Sequence, residues 1–336
     1  MIFSVFNVLL AICFSFLLLL ILGLILRKIF PTIKSRILGN KRIGGSIILL
    51  LAFFAIFWLQ ITNSGFLLPK DIASLFIGFS IIFIFGLRDD LDGMNWQNQA
   101  IVQSILALVI IFAGDSIQHI RLPNGEVLYL ASVLGAILTY FWVVIVINSL
   151  NWIDGVDGLA GTVSLVTFAA LGFLSLSEKV NQPSTAALCF LMVFLLIFFL
   201  AFNLPPAKFY LGTVGVWTLG FLISVISLYS GGKVATTALV LSIPILDFLL
   251  VFLERIFRGK IPVKGKDKLH LHQRLLEIGW SHFQITAFLG FTTLSLGWAV
   301  LIFQTANKIY LFLPISFLFF CLGLILLKNR KSTNIK

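Results

Sequence analysis

The sequence predicts an all-α polytopic membrane protein, and three observations carry that expectation. Sixty per cent of the 336 residues are hydrophobic and 11% are charged, against roughly 45–50% and 25% in an average soluble domain. The mean hydropathy is +1.08. The apolar residues lie in long unbroken runs, not in the short alternating segments of a β-barrel. A water-soluble core of this size could not hide so much apolar surface, 35 Phe included. Disordered, collagen-like and disulfide-framework classes are excluded on the same grounds.

Eleven apolar runs follow in order: 2–26, 45–62, 72–87, 98–114, 128–147, 159–176, 185–202, 210–229, 235–254, 284–304 and 309–327. A spanning helix needs about 20 residues, so 72–87 and 98–114 are expected to extend into their polar flanks. Run 2–26 has no basic residue before it and is followed by Arg27 and Lys28, which reads as a retained helix, not a signal peptide. Eleven spans put the termini on opposite sides. With the N-terminus outside, 19 of the 24 Lys and Arg share one side with the C-terminus, and that skew makes the side cytoplasmic. It also accounts for most of the +11 net charge without nucleic acid. Cys13, Cys189 and Cys321 lie inside apolar runs and read as packing residues. The whole chain, 1–336, reads as one membrane domain. Its candidate catalytic loops are cytoplasmic, at about 86–97, 148–158, 203–213 and 255–283.

The polar residues gather at these junctions. Asp89, Asp90 and Asp92 stand together after the third run. Adjacent carboxylates repel and need a cation or a shared proton, which points to a divalent-metal or proton-transfer site. In Asn148-Ser-Leu-Asn-Trp-Ile-Asp-Gly-Val-Asp-Gly-Leu159, the residues Asn148, Asn151, Asp154 and Asp157 recur every three positions, as on one face of a tight helical turn. Two amides and two carboxylates in that pattern are a poor choice for packing alone. Asn203 and Lys208 are the polar members of Phe202-Asn-Leu-Pro-Pro-Ala-Lys-Phe-Tyr-Leu-Gly212. Lys208 reads either as a phosphate ligand or as a positive-inside anchor. His270, His272 and Arg274 lie in the basic loop and can donate to a diphosphate. His119 and His282 read as isolated, structural or solvated. Asp247, inside an apolar run, must face the bundle, paired or protonated. Neither a P-loop nor a G-x-S-x-G elbow occurs. A transporter coupled at Asp247 is a rival reading, but no inverted repeat is visible.

This set resembles the polyprenyl-phosphate N-acetylhexosamine-1-phosphate transferases. Arg42-Ile-Gly-Gly45 resembles their R-x-G-G and Asp89-Asp90 their paired aspartates. Asn148–Leu159 resembles N-x-x-N-x-x-D-G-x-D-G-L, and Phe202–Gly212 resembles f-N-x-P-P-A-K-x-f-x-G. Pro244-Ile-Leu-Asp247 with Arg255 resembles P-x-x-D and a following Arg, and Asp267–Leu275 resembles D-x-x-H-x-H-H-R-L. The likeness covers about residues 40–279. Three departures stand out: Thr213 where the family has a metal-binding aspartate, Gln273 for the last His, and Gln99 for a Lys.

The resemblance implies a bacterial inner-membrane enzyme with its active site facing the cytoplasm. It would move a HexNAc-1-phosphate from a UDP-sugar to undecaprenyl phosphate and release UMP, starting a cell-envelope polysaccharide. It implies Mg²⁺, with Mn²⁺ as the alternative, at Asn151, Asp154 and Thr213. Asp89, Asp90, Asp154 and Asp157 would be catalytic. Arg42, Asn148, Asn203, Lys208, His270, His272 and Arg274 would bind substrate. Undecaprenyl phosphate, the UDP-HexNAc and membrane lipids are the implied partners, with a homodimer suggested by related enzymes. Thr213 raises the alternative of an impaired paralogue that holds lipid phosphate or nucleotide-sugar without turnover.

Overall fold

The structure, a computed structural model, describes residues 42, 44–62, 67–122, 126–229, 231–262 and 269–302. Helices α1 (Gly44–Thr62), α2 (Pro69–Asp92) and α3 (Trp96–Phe112) lead into a hairpin of β1 (His119–Arg121) and β2 (Val127–Tyr129). There follow α4 (Ser132–Ile153), α5 (Leu159–Leu176), α6 (Pro183–Asn203), α7 (Gly212–Leu228), α8 (Gly231–Val240), α9 (Ser242–Phe257), the short α10 (Leu271–Glu277) and α11 (His282–Ile302). Six of these are long and apolar enough to cross a membrane, or seven if the bent pair α8–α9 is one span. The chain is thus a multi-pass, all-α membrane protein. Nine of the eleven apolar runs fall among the described residues and each carries helix. Runs 2–26 and 309–327, and with them both termini, lie outside the described residues.

Two runs differ from their reading. Run 128–147 begins on β2, which pairs antiparallel with β1 in the register His119–Tyr129, Ile120–Leu128 and Arg121–Val127, and helix starts only at Ser132. Run 235–254 is broken at Leu241, where α8 and α9 meet at 72°. Pro244 supplies the cause: it has no N–H for the carbonyl four residues back, so the helical ladder is interrupted there.

Helix α7 is the central pillar. Every residue from Val214 to Ser227 is buried, as expected of a helix apolar on all sides. Glycines let its neighbours approach closely. A Cβ on Gly45 of α1 would lie 2.1 Å from the Gly215 nitrogen, and one on Gly220 would lie 2.8 Å from Cα of Ile147 on α4. One continuous core joins α1 to α7 with parts of α9, α10 and α11. Because α7 is locked along its length, its first turn is a fixed platform for the polar end of the bundle.

Candidate active site

Three helix ends meet at that platform. Asp89 and Asp90, both buried, close α2. Asp89 Oδ1 accepts from the Met94 N–H at 2.6 Å and from Gln99 Nε2 at 3.1 Å, and its Oδ2 accepts from the Thr213 hydroxyl. Asp90 accepts from the backbone N–H groups of Thr213 at 2.7 Å and Val214 at 3.2 Å. It thereby caps α7 from another helix, with its charge at the positive end of the α7 dipole. Gly212, at φ +62°, permits this approach: a Cβ there would sit 2.6 Å from Asp90 Oδ1. Asp92 is exposed.

The period-three motif straddles the end of α4. Asn148 is buried and turned to α3, where its Nδ2 donates to Gln103 Oε1 at 2.5 Å. Asn151 is half-buried in the last turn. The helix stops at Ile153, and Gly158 at φ +77° reverses the chain into α5. Asp154 and Asp157 therefore lie beyond the helix, not on one face with Asn148. Asp157 Oδ2 accepts from Ala207 N–H at 3.1 Å, and its Oδ1 lies 3.3 Å from Nδ1 of His282. His282, read from the sequence as isolated, is thus part of the site. The contact spans 125 positions, and no local spacing could reveal it.

The 203–211 loop is tied down locally. Asn203 is buried and its Nδ2 donates to the Phe209 carbonyl at 2.8 Å, while Lys208 is exposed. The N-cap and first turn of α10 supply the histidines, and α9 supplies Asp247. Asp247 pairs with His270 at 2.8 Å and accepts from Leu271 N–H at 2.8 Å, so it is paired, as its depth demands. The indole of Trp152 lies between His270, 4.7 Å away, and the buried Arg255, 4.8 Å away. His272 is buried, its Nε2 against Gly155 and its Nδ1 without a hydrogen bond among the described residues. Arg274 donates to Glu254 at 3.0 Å and to the Leu269 carbonyl at 2.6 Å, so its guanidinium braces α10 against α9.

Electrostatics single out Asp154. Desolvation, then the nearby charge of Asp90, and then Asp157 hold its carboxyl well above the usual carboxylate range, and Arg42 pulls the other way. No hydrogen bond to a described residue relieves it. Burial pushes the His272 imidazole down to about 4, so it is neutral at physiological pH. Among the described residues no three His, Cys, Asp or Glu side chains group as a ready metal site. Mg²⁺ usually takes one or two carboxylates and completes its shell with water and substrate phosphate. The donor chemistry fits that mode, with Asp154 without a hydrogen bond to a described residue while Asp89 and Asp90 already accept from N–H and O–H donors.

Residues 72–231 match the family model described as glycosyl transferase family 4. Over that segment, just under half of the chain, the protein is similar to glycosyl transferase family 4. The family match runs from α2 to the start of α8, and so contains the aspartates, the α4 end and the α7 platform. Similar proteins include a probable undecaprenyl-phosphate N-acetylglucosaminyl 1-phosphate transferase of Bacillus subtilis, 27% identical over 247 residues, covering 72% of this chain and 67% of that one. A decaprenyl-phosphate N-acetylglucosaminephosphotransferase of Mycolicibacterium smegmatis is 27% identical, covering 65% of this chain and 60% of its own. An undecaprenyl-phosphate alpha-N-acetylglucosaminyl 1-phosphate transferase of Escherichia coli K12 is also 27% identical, covering 62% and 59%. The alignments thus span about three-fifths to two-thirds of these relatives' lengths.

Proposed function

We propose that this protein transfers an N-acetylhexosamine 1-phosphate from a UDP-sugar to a polyprenyl phosphate such as undecaprenyl phosphate, with release of UMP. The observation that carries the reading is Asp154: a desolvated carboxylate without a hydrogen bond to a described residue, beside Asp90 and Asp157, in a chain whose curated relatives are named for this chemistry. An oxygen of the lipid phosphate attacks the sugar-bearing phosphorus of the UDP-sugar. One phosphoanhydride forms as another breaks, and the bonding pair leaves with UMP. Such transfers depend on positioning and charge stabilisation more than on covalent help.

The roles follow from the geometry. A phosphate monoester has a second pKa near 6, so the lipid phosphate is largely ionised at neutral pH and needs little help from a base. Asp89 and Asp90 anchor the α7 platform. Asp154, with Asn151 beside it, would hold Mg²⁺ or Mn²⁺, which would neutralise the diphosphate and the departing UMP. Asp247 fixes the His270 ring, leaving Nε2 to face phosphate oxygen, and neutral His272 contributes an N–H donor without a competing charge. Arg42 lies close enough to Asp154 to act on it electrostatically. The reading places the protein in the bacterial inner membrane with the cleft open to the cytoplasm, where nucleotide-sugars are made.

The test is direct. Purified protein is incubated with undecaprenyl phosphate, a panel of UDP-sugars and Mg²⁺, and UMP is measured. Release with at least one UDP-HexNAc, abolished by EDTA, is expected. No release with any donor, from protein that retains a cooperative melting transition, overturns the proposal.

A further inference from the structure

Asp89 is held from both sides by neutral donors that come from two other helices. Gln99, in the first turn of α3, donates to Oδ1 at 3.1 Å, and Thr213, in the first turn of α7, donates to Oδ2 through its hydroxyl. The Met94 N–H completes the set at 2.6 Å. The carboxylate is buried and pairs with no basic side chain of a described residue. Thr213 is doubly committed, since its N–H serves Asp90 while its hydroxyl serves Asp89.

We infer that Gln99 and Thr213 form a coupled pair that positions Asp89, so that the charge tolerated at one position is set by the charge at the other. A carboxylate at 213 would stand at hydrogen-bonding distance from the Asp89 carboxylate, with no proton to share between them, and like charges at that range cannot both ionise cheaply. The repulsion is relieved if the pair takes up a proton or if a cation reaches the other Asp89 oxygen, and residue 99 already reaches that oxygen. A Lys at 99 facing Thr213 has the converse effect: it adds a buried positive charge where neutral donors already suffice. These two positions, 114 apart, are also two of the three departures noted in the sequence. One removes a positive charge and the other a negative one, so the pair leaves the charge around Asp89 unchanged. Gln99 is therefore a positioning residue, and Thr213 is its counterpart and not simply a lost metal ligand.

A double-mutant cycle tests the pairing. Gln99→Lys, Thr213→Asp and the double variant are compared with the parent by melting midpoint in detergent and by UMP release. Thr213→Asp alone is expected to lower the midpoint by several degrees, and adding Gln99→Lys to restore at least half of the loss. Release from the double variant should exceed the product of the single effects by at least tenfold, a coupling of about 1.4 kcal/mol. Thr213→Ser, which keeps the hydroxyl, should keep the parent's melting midpoint. Should Thr213→Asp fail to fold, Thr213→Asn has the same size without the charge and should fold. Additive midpoint shifts, multiplicative activities, or a Thr213→Ser midpoint as low as that of Thr213→Asp each overturn the inference. Only the activity arm rests on the transfer reading. A parent that releases no UMP defeats that reading alone, and the melting cycle then decides the coupling.

Discussion

A carboxylate at the C-terminal end of a helix sits where the dipole is negative, and Asp154 sits there at the end of α4. Two further carboxylates act on it, and desolvation adds to the cost. Nothing in packing rewards this choice, so the cost is offset by what binds. Asp154→Asn is therefore expected to lower UMP release on the order of 100-fold or more, as for other removed electrostatic groups, while the melting midpoint of ligand-free protein stays level or rises. The sign with pH is fixed by the direction of the shift. A raised folded-state pKa means that the native state keeps a proton which the unfolded chain has lost. Stability from this group is complete below the unfolded value of about 4 and falls as pH rises towards the folded value. The parent midpoint should decline from mildly acid to neutral pH more steeply than that of Asp154→Asn. Identical slopes in the two proteins would remove Asp154 from the account.

At the scale of the element, the site is made where helices stop. The α4 end turns through Gly155 and Gly158, and Gly155 lies so close to α10 that a Cβ on it would stand 2.7 Å from Nε2 of His272. Gly155→Ala is expected to displace that ring, raising KM for the nucleotide-sugar about tenfold with the melting midpoint nearly unchanged. An unaltered KM would mean that His272 does not face substrate. Elements of this kind were legible in the sequence to different degrees. The apolar runs showed through because backbone in lipid must satisfy itself as helix. The aspartates and the Asn-Asp motif showed through because polar groups at such depth are costly. The exit of Asp154 and Asp157 from the helical face did not, since period three continues past the point where the helix ends at Ile153. Of the hairpin, β2 falls at the start of run 128–147, whose β-branched and aromatic residues suit either structure, and β1 falls between runs. His282 and Gln99 meet their carboxylates only through tertiary packing, which a single sequence does not encode at readable spacing.

For the molecule as a whole, the described basic residues divide between two ends. Arg42, Arg88, Lys208, Arg255, Arg258, Lys260 and Arg274 lie towards the aspartates, while Lys70, Arg121, Lys179 and Lys233 lie towards the hairpin. The hairpin end has its own polar groups: Lys70 pairs with Asp115 at 3.0 Å, and the buried Lys233 donates to Gln182. The positive-inside rule predicts that the aspartate end faces the cytoplasm, and the proposed transfer needs that orientation, because a nucleotide-sugar is charged and does not cross the bilayer. The prediction can be read in intact cells. Cys13 and Cys321 are changed to Ser, and buried Cys189 is left in place. Single cysteines are then introduced at two exposed positions, Glu178 beyond the end of α5 and Arg258 after α9. A membrane-impermeant maleimide added outside should label Glu178→Cys and spare Arg258→Cys until the cells are opened. The reverse pattern would put the carboxylates outside, away from any pool of UDP-sugar, and the transfer reading would fall with the topology. Labelling of both from outside would mean that an odd number of spans does not separate these two loops, so that α6 to α9 cross the membrane differently from the count that length and hydropathy give.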